Sequence, residues 1–147
     1  MVDRGNVRFM GTVESTGETS TLRIYPEYCP ALLGIERHSH LIVLYWFHLR
    51  DNSEHRKTLQ VTPPRHEGAP LTGVFACRSP SRPNPLGVTV VKLERIDGCK
   101  LVVSGLDALE GSLIVDVKPY NPNSDSVPEA EAPGYMRHHK SSEKDLS

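Results

Sequence analysis

Two β-rich runs, residues 88–96 and 100–106, flank Asp97-Gly98, and this arrangement constrains the fold more than any other feature of the chain. Asp-Gly between such runs favours a two-residue type I′ turn, because Gly tolerates positive φ, and so predicts an antiparallel hairpin. Near the start, Val7, Phe9, Gly11 and Val13 alternate with other residues, the period of a strand with one buried face. Residues 21–25 read as a second strand, paired back on the first across the polar turn 15–20. Residues 40–49 hold too many consecutive apolar side chains for a half-exposed strand and too few for a long helix, which predicts a central strand buried on both faces. Trp46 and Phe47 are expected in the core. A further short strand is expected at 113–117. One short helix is expected at 26–33, with Pro26 in its first turn and Gly34 at its far end. Many short strands, frequent turns and little helix predict an all-β fold, a small barrel or sandwich of mainly antiparallel strands. No Gly-x-Gly-x-x-Gly segment opens a helix and no βα alternation repeats, which argues against a doubly wound nucleotide-binding sheet.

Between the central strand and the hairpin the chain changes character. Residues 51–68 are charged and contain Pro63-Pro64, which reads as a surface excursion with a short strand at 58–61. Residues 71–76 are expected to return to the core. They lead into Cys77-Arg78-Ser79-Pro80-Ser81-Arg82-Pro83-Asn84-Pro85-Leu86-Gly87. Each proline fixes φ, removes a donor and pushes the preceding residue toward extended geometry, so this is a stiff loop. An arginine presented from a stiff loop engages a carboxylate or phosphate at low ordering cost, through a planar fork of donors.

The chain of 147 residues suffices for one domain with its own core, assigned to residues 1–135. Residues 136–147 are too polar to repay their ordering and are expected to be a disordered tail, although Tyr135 and Met136 can dock. The formal charge is −1, but its distribution is uneven. Residues 48–82 hold six Lys/Arg against three acids, and from residue 101 onward four basic residues face eight acidic ones. One basic face is compatible with that pattern. Cys29, Cys77 and Cys99 lack metal-type spacing and a secretory context, and read as reduced thiols of a cytoplasmic protein. The longest apolar run, residues 41–47, is far short of the ~20 residues of a membrane span. His38, His40 and His48 bracket the central strand, and their spacing supplies no convergent metal ligand set.

The block from Arg78 to Gly87 resembles the signature of the TsaA-like (TrmO) family, the S-adenosylmethionine-dependent tRNA adenosine-37 methyltransferases. Two further blocks agree: Gly34-Ile35-Glu36-Arg37-His38-Ser39-His40-Leu41-Ile42-Val43-Leu44-Tyr45-Trp46-Phe47-His48, and Leu106-Asp107-Ala108-Leu109-Glu110-Gly111 leading to Asp116-Val117-Lys118-Pro119-Tyr120. The resemblance implies a small β-barrel that pairs into a homodimer and binds S-adenosylmethionine near the dimer interface. It also implies methyl transfer to N6 of N6-threonylcarbamoyladenosine at position 37, in the anticodon loop of tRNA. The cofactor positions it carries over are His48, Leu49, Arg78, Val88, Asp107, Ala108, Leu109 and Glu110. Arg78 or Arg82 suits the cofactor's carboxylate, and Asp107 or Glu110 suits its ribose hydroxyls or ammonium. Arg82 and Asn84 belong to the signature loop with a role in cofactor binding, tRNA binding or loop architecture. Asp116, Lys118 and Tyr120 are further polar candidates, equally readable as a strand-end ion pair and a packed ring, and no catalytic base is assigned.

The chain also departs from the family pattern. The Pro-Arg-Gln segment that follows the first strand in bacterial forms is replaced by the shorter Ser15-Thr16-Gly17-Glu18-Thr19-Ser20. His38 stands for a Phe, and Glu110-Gly111-Ser112 for Asp-Gly-Thr. These departures motivate an alternative, a non-catalytic barrel that binds S-adenosylmethionine or RNA. A purely structural interaction barrel is the third reading.

Overall fold

The protein is described by a computed structural model covering residues 2–137. Six strands close into an antiparallel barrel, and a two-stranded sheet stands apart from it. The barrel strands are β1 (Gly11–Ser15), β2 (Ser20–Ile24), β3 (His40–Trp46), β6 (Leu86–Asp97), β7 (Lys100–Ser104) and β8 (Leu113–Pro119). Around the barrel the order is β1-β2-β7-β6-β3-β8, with β8 pairing back onto β1. Closure leaves no barrel strand with an open edge. The core follows from period-two alternation: Val13, Leu22, Leu41, Val43, Leu101 and Ile114 point inward and are nearly sealed from solvent.

The central strand lies where expected. β3 pairs with β6 along one side and with β8 along the other. Its two faces differ, however. Leu41, Val43 and Tyr45 are buried, whereas Ile42 and Leu44 on the outer face are only partly covered. They lie beside Val90 and Val88 of β6, so the uninterrupted apolar run reflects an apolar exterior stripe rather than full burial on both faces.

The hairpin is also present, with its turn moved by one residue. Asp97 pairs with Lys100, leaving Gly98-Cys99 as the connection. Gly98 has φ +63 and among the described residues no non-glycine, Cys99 included, has positive φ, the sign pattern of a type II′ rather than a type I′ turn. This turn carries Cys99 to Cys29, with Cα atoms 5.5 Å apart, and the two form a disulfide across 70 residues. The expectation of reduced thiols therefore holds only for Cys77. Folding brings together two cysteines that are remote in sequence, and their spacing along the chain carries no sign of it.

Other elements are shorter than their patterns suggest. The first strand starts at Gly11, leaving Val7 half exposed. Residues Pro26–Leu32 form a 3₁₀ rather than an α-helix, with Pro30 inside it; a proline lacks the N–H that an α-helical ladder requires there. Gly34 follows with φ +88. In the charged excursion a single helical turn, α1 (Ser53–Arg56), is capped by the Asn52 side chain, which accepts from His55 N at 2.9 Å. A second turn, α2 (Pro122–Asp125), is capped likewise by Asn121.

β4 (Gln60–Val61) and β5 (Thr72–Gly73) form the separate sheet. The 3₁₀ turn Val74–Ala76 then buries Val74 alone and leaves Phe75 exposed, so residues 71–76 rejoin the core at one side chain only. Gly134–Arg137 forms a last 3₁₀ turn, with Tyr135 against His66, ring centroids 6.1 Å apart. The expected tail of residues 136–147 lies, beyond Arg137, outside the described residues.

A cross-link closing a loop of this length restricts the unfolded chain and is worth about 4 kcal/mol in the chain-entropy model. Reduction, or Cys29→Ser, is expected to lower the midpoint of thermal or urea unfolding, and Cys77→Ser to leave it unchanged. Circular dichroism melts with and without reductant check this.

Candidate functional site

The loop between Cys77 and Pro85 is held from both sides. Its own arginine organises it internally: Arg82 Nη1 donates to the carbonyls of Cys77 and Ser79, at 3.2 and 3.1 Å. The short helix α1 and the end of β3 clamp it externally. Arg56 Nε donates to the Pro83 carbonyl at 2.8 Å, Nη1 meets Asp51 at 3.0 Å, and Nη2 reaches Asn84 Oδ1 at 3.4 Å. The same guanidinium lies over the Trp46 ring, 5.7 Å from its centroid, while Trp46 Nε1 donates to Asp51. Ser81 Oγ is buried and takes two partners, Arg50 Nη1 and His55 Nδ1, each at 2.8 Å. Arg82 and Asn84 thus both take part in contacts that hold the loop.

Arg78 is different. It is exposed, and among the described residues it makes no hydrogen bond or ion pair. It lines a cleft of ≈ 1010 Å³ bounded by this loop, by residues 61–66 and by the start of β6. That volume lies at the upper end for small-molecule sites. Among the described residues four arginines, Arg50, Arg65, Arg78 and Arg82, line the cleft with one carboxylate, Asp107. Two of the four are engaged by the loop itself, and Arg65 Nη2 pairs with Asp107 Oδ2 at 3.2 Å. The Arg65–Asp107 pair is largely buried and links the charged excursion to the turn after β7. Of the four, Arg78 alone makes no hydrogen bond or ion pair among the described residues.

One contact fixes the floor of the cleft. Gly87 pairs with Tyr45 across β6 and β3. A Cβ at position 87 would lie 2.7 Å from both Phe47 Cζ and Tyr45 Cε2, so only glycine admits these rings. Tyr45 is packed edge-on by Phe47, centroids 5.5 Å apart. Its hydroxyl donates to the Asp107 carbonyl at 2.5 Å and lies 3.1 Å from Thr89 Oγ1. The turn bearing Asp107 is thereby tied to the strand that follows the arginine loop.

The sequence-derived site residues fall into two neighbouring groups. Arg78, Val88 and Asp107 line the cleft together. His48, Leu49, Ala108, Leu109 and Glu110 do not line it. Ala108 is core, while Leu49 and Glu110 are exposed. His48 lies next to the 107–111 turn, its Nε2 3.6 Å from where a Cβ on Gly111 would be. Its buried Nδ1 has no hydrogen-bond partner among the described residues, an arrangement that favours a ligand or water there. Asp116 pairs with Lys118 at 3.1 Å on the exposed part of β8, as the strand-end reading expects. Tyr45, Thr89 and Arg65 were not anticipated. Tyr45 reads as one more apolar residue of a buried strand, and Arg65 as one charge among many in a surface excursion. No group of three or more His, Cys, Asp or Glu able to hold a metal ion occurs among the described residues.

Gly87→Ala is expected to cost about 1–3 kcal/mol through overpacking and to displace Tyr45 from the Asp107 turn. Urea unfolding measures the first effect. The amide shifts of residues 107–110 measure the second, and both should follow Gly87→Ala but not Gly5→Ala, whose added Cβ meets nothing within 4 Å.

Comparison with known proteins accords with this geometry. Residues 11–126 match the model of the tRNA-methyltransferase O N-terminal domain. A probable S-adenosyl-L-methionine-binding protein of Methanocaldococcus jannaschii is 39% identical over 116 residues, covering 79% of this chain and 92% of that protein. A tRNA (adenine(37)-N6)-methyltransferase of Rattus norvegicus is 40% identical over 115 residues, covering 78% of this chain but 25% of the rat protein. The crystal structure of TrmO from Pseudomonas aeruginosa superposes with a TM-score of 0.69 at 29% identity, covering 90% of this chain and 62% of that one. The chain thus spans nearly all of the archaeal relative and only a quarter of the mammalian one. The clamped arginine loop, the closed six-stranded barrel and the matched model together make this chain a member of the TrmO family, corresponding to its N-terminal domain.

Proposed function

We propose that residues 1–135 form an S-adenosylmethionine-dependent tRNA methyltransferase domain acting on N6 of adenosine-37 in the anticodon loop, with the N6-threonylcarbamoyl form as substrate. The observation that carries this reading is Arg78, unpartnered on a braced loop and facing a cleft shared with Asp107 and Val88. The relatives' names, a tRNA adenine methyltransferase and an S-adenosyl-L-methionine-binding protein, support it. Its setting is the cytoplasm, where tRNA is processed.

The residues present fit the cofactor. Arg78 suits its carboxylate through charge-assisted bonds, and Asp107 suits its ammonium or ribose hydroxyls. Val88 offers apolar surface. His48, Leu49 and the 108–110 turn complete the proposed binding set, the orphan His48 Nδ1 being a polar group that still wants a partner. When bound, the cofactor supplies an electrophilic methyl group on a sulfonium. The chain's contribution is then chiefly positioning: the loop, β6 and the Asp107 turn are cross-braced, so the cleft keeps its shape when occupied. Phosphate contacts from the basic 48–82 region would hold the RNA.

We further propose a homodimer. Leu86, Val88 and Val90 form an exposed row on β6 beside Ile42 and Leu44, an apolar stripe that a second copy can cover. Val90→Lys is expected to shift the chain toward monomer in sedimentation velocity; an unchanged sedimentation coefficient excludes the stripe as the interface.

A non-catalytic binding module remains as a second reading, favoured by the short 15–20 turn in place of the family's Pro-Arg-Gln segment. Titration calorimetry and a methyl-transfer assay separate the two. Wild type is expected to bind S-adenosylmethionine and to label tRNA more with than without threonylcarbamoyl. Arg78→Ala loses bonds to a charged group worth about 1.5–3 kcal/mol, roughly a 10- to 150-fold weaker titration. Cofactor binding without transfer supports the module, and full activity of Arg78→Ala removes the role assigned to that arginine.

A further inference from the structure

Phe75 is 87% exposed, far more than any packing role requires. It sits on the 3₁₀ turn between β5 and the arginine loop, three residues before Arg78. The backbone beneath it is fixed: Val74 is buried, Val74 N donates to the Leu59 carbonyl at 2.9 Å, and β4 pairs with β5. Leu59 and Leu71, carried at the ends of the same small sheet, are 64% and 66% exposed. Lys57 and Arg78 lie on either side of this apolar group in the chain, both exposed and both without an ion pair among the described residues. An exposed aromatic on a fixed backbone, with a free lysine on the segment bonded to it, matches the chemistry of an unpaired nucleotide, whose base stacks on a ring while its phosphates meet positive charge. A second copy of the chain has a better candidate surface in the β6 stripe, which bears no positive charge at Leu86, Val88 and Val90.

We infer that Phe75 is a stacking platform for an unpaired base of the RNA partner, with Lys57, two residues before the Leu59 that bonds to Val74, as a phosphate contact. This rests on the tRNA reading above and names a residue for it that lies outside the proposed cofactor set.

The test uses the full chain and a fluorophore-labelled anticodon stem–loop, read by anisotropy across a salt series, beside calorimetric titration with S-adenosylmethionine and sedimentation velocity. Phe75→Ala is expected to weaken RNA binding on the order of tenfold, with Phe75→Trp retaining wild-type affinity. Because stacking releases no counterions, Phe75→Ala keeps the wild-type salt slope, while Lys57→Ala reduces it by about 1. Cofactor affinity and sedimentation stay as in wild type, and far-ultraviolet circular dichroism confirms the fold. Unchanged RNA affinity in Phe75→Ala overturns the inference. So does a changed sedimentation coefficient, which gives the ring to a second copy, or a weakened cofactor titration, which gives it to the cofactor. A wild-type chain that binds cofactor but no stem–loop overturns the platform and leaves cofactor binding standing; one that binds neither overturns the proposed function as well.

Discussion

The Tyr45 ring occupies space that any side chain at position 87 would need, and the site is built on that close approach. β3 supplies the ring, β6 supplies the gap, and the hydroxyl reaches past both to the Asp107 carbonyl. Three segments far apart in sequence are thus locked by one contact: the central strand, the strand leaving the arginine loop, and the turn after β7. Because the ring is almost wholly buried, its hydroxyl must be satisfied inside the protein. Asp107 O and Thr89 Oγ1 meet that need and in doing so set the position of the Asp107 turn.

The arginine loop depends on a second bracing system that meets the first at β3. Trp46, the residue after Tyr45, faces the other side of the strand, donates to Asp51 and supports the Arg56 guanidinium. Arg56 in turn holds Pro83 and Asn84, and Ser81 is held by Arg50 and His55. Each of these bonds is modest by itself, and exposed ion pairs such as Arg56–Asp51 contribute little to stability. Their consequence is geometric. With three prolines limiting φ and three outside side chains, Arg50, His55 and Arg56, bonded to the loop, the backbone that carries Arg78 has little ordering left to do.

Those parts of the fold were legible in the sequence whose signal is local. The 88–106 hairpin, the central strand and the all-β class follow from period and turn chemistry. Errors arose where a distant partner decides the outcome. The turn residue Cys99 bonds to Cys29, and no local rule links positions 29 and 99. Ile42 and Leu44 look like core because a strand's outer face and inner face can be equally apolar. At the site, Arg78, Val88 and Asp107 line one cleft, and Arg82, which lines it too, spends its Nη1 on the carbonyls of Cys77 and Ser79. A stiff loop leaves free only those arginines that its own carbonyls do not capture, and the captured one cannot be told from the free one by sequence. Tyr45 and Arg65 carry their roles through cross-barrel partners, and neither has a motif of its own.

Charge couples the proposed cofactor to whatever anion shares the cleft with it. Four arginines line the cleft with one aspartate among the described residues, while S-adenosylmethionine with its carboxylate, ammonium and sulfonium ionised carries a net positive charge. Arg82 and Arg50 bond to neutral loop acceptors, which leave their charges in place, and among the described residues Asp107 offsets Arg65, so the arginines lining the cleft outnumber the carboxylate. A cationic methyl donor is held more tightly among such charges when an anion enters with it. Under the proposed reading the RNA phosphates and the carboxylate of the threonylcarbamoyl group are those anions, so nucleic acid and cofactor should favour one another's binding. The near-neutral net charge of the chain conceals this, because residues 1–100 carry thirteen Lys/Arg against ten Asp/Glu whereas residues 101–147 carry four against eight.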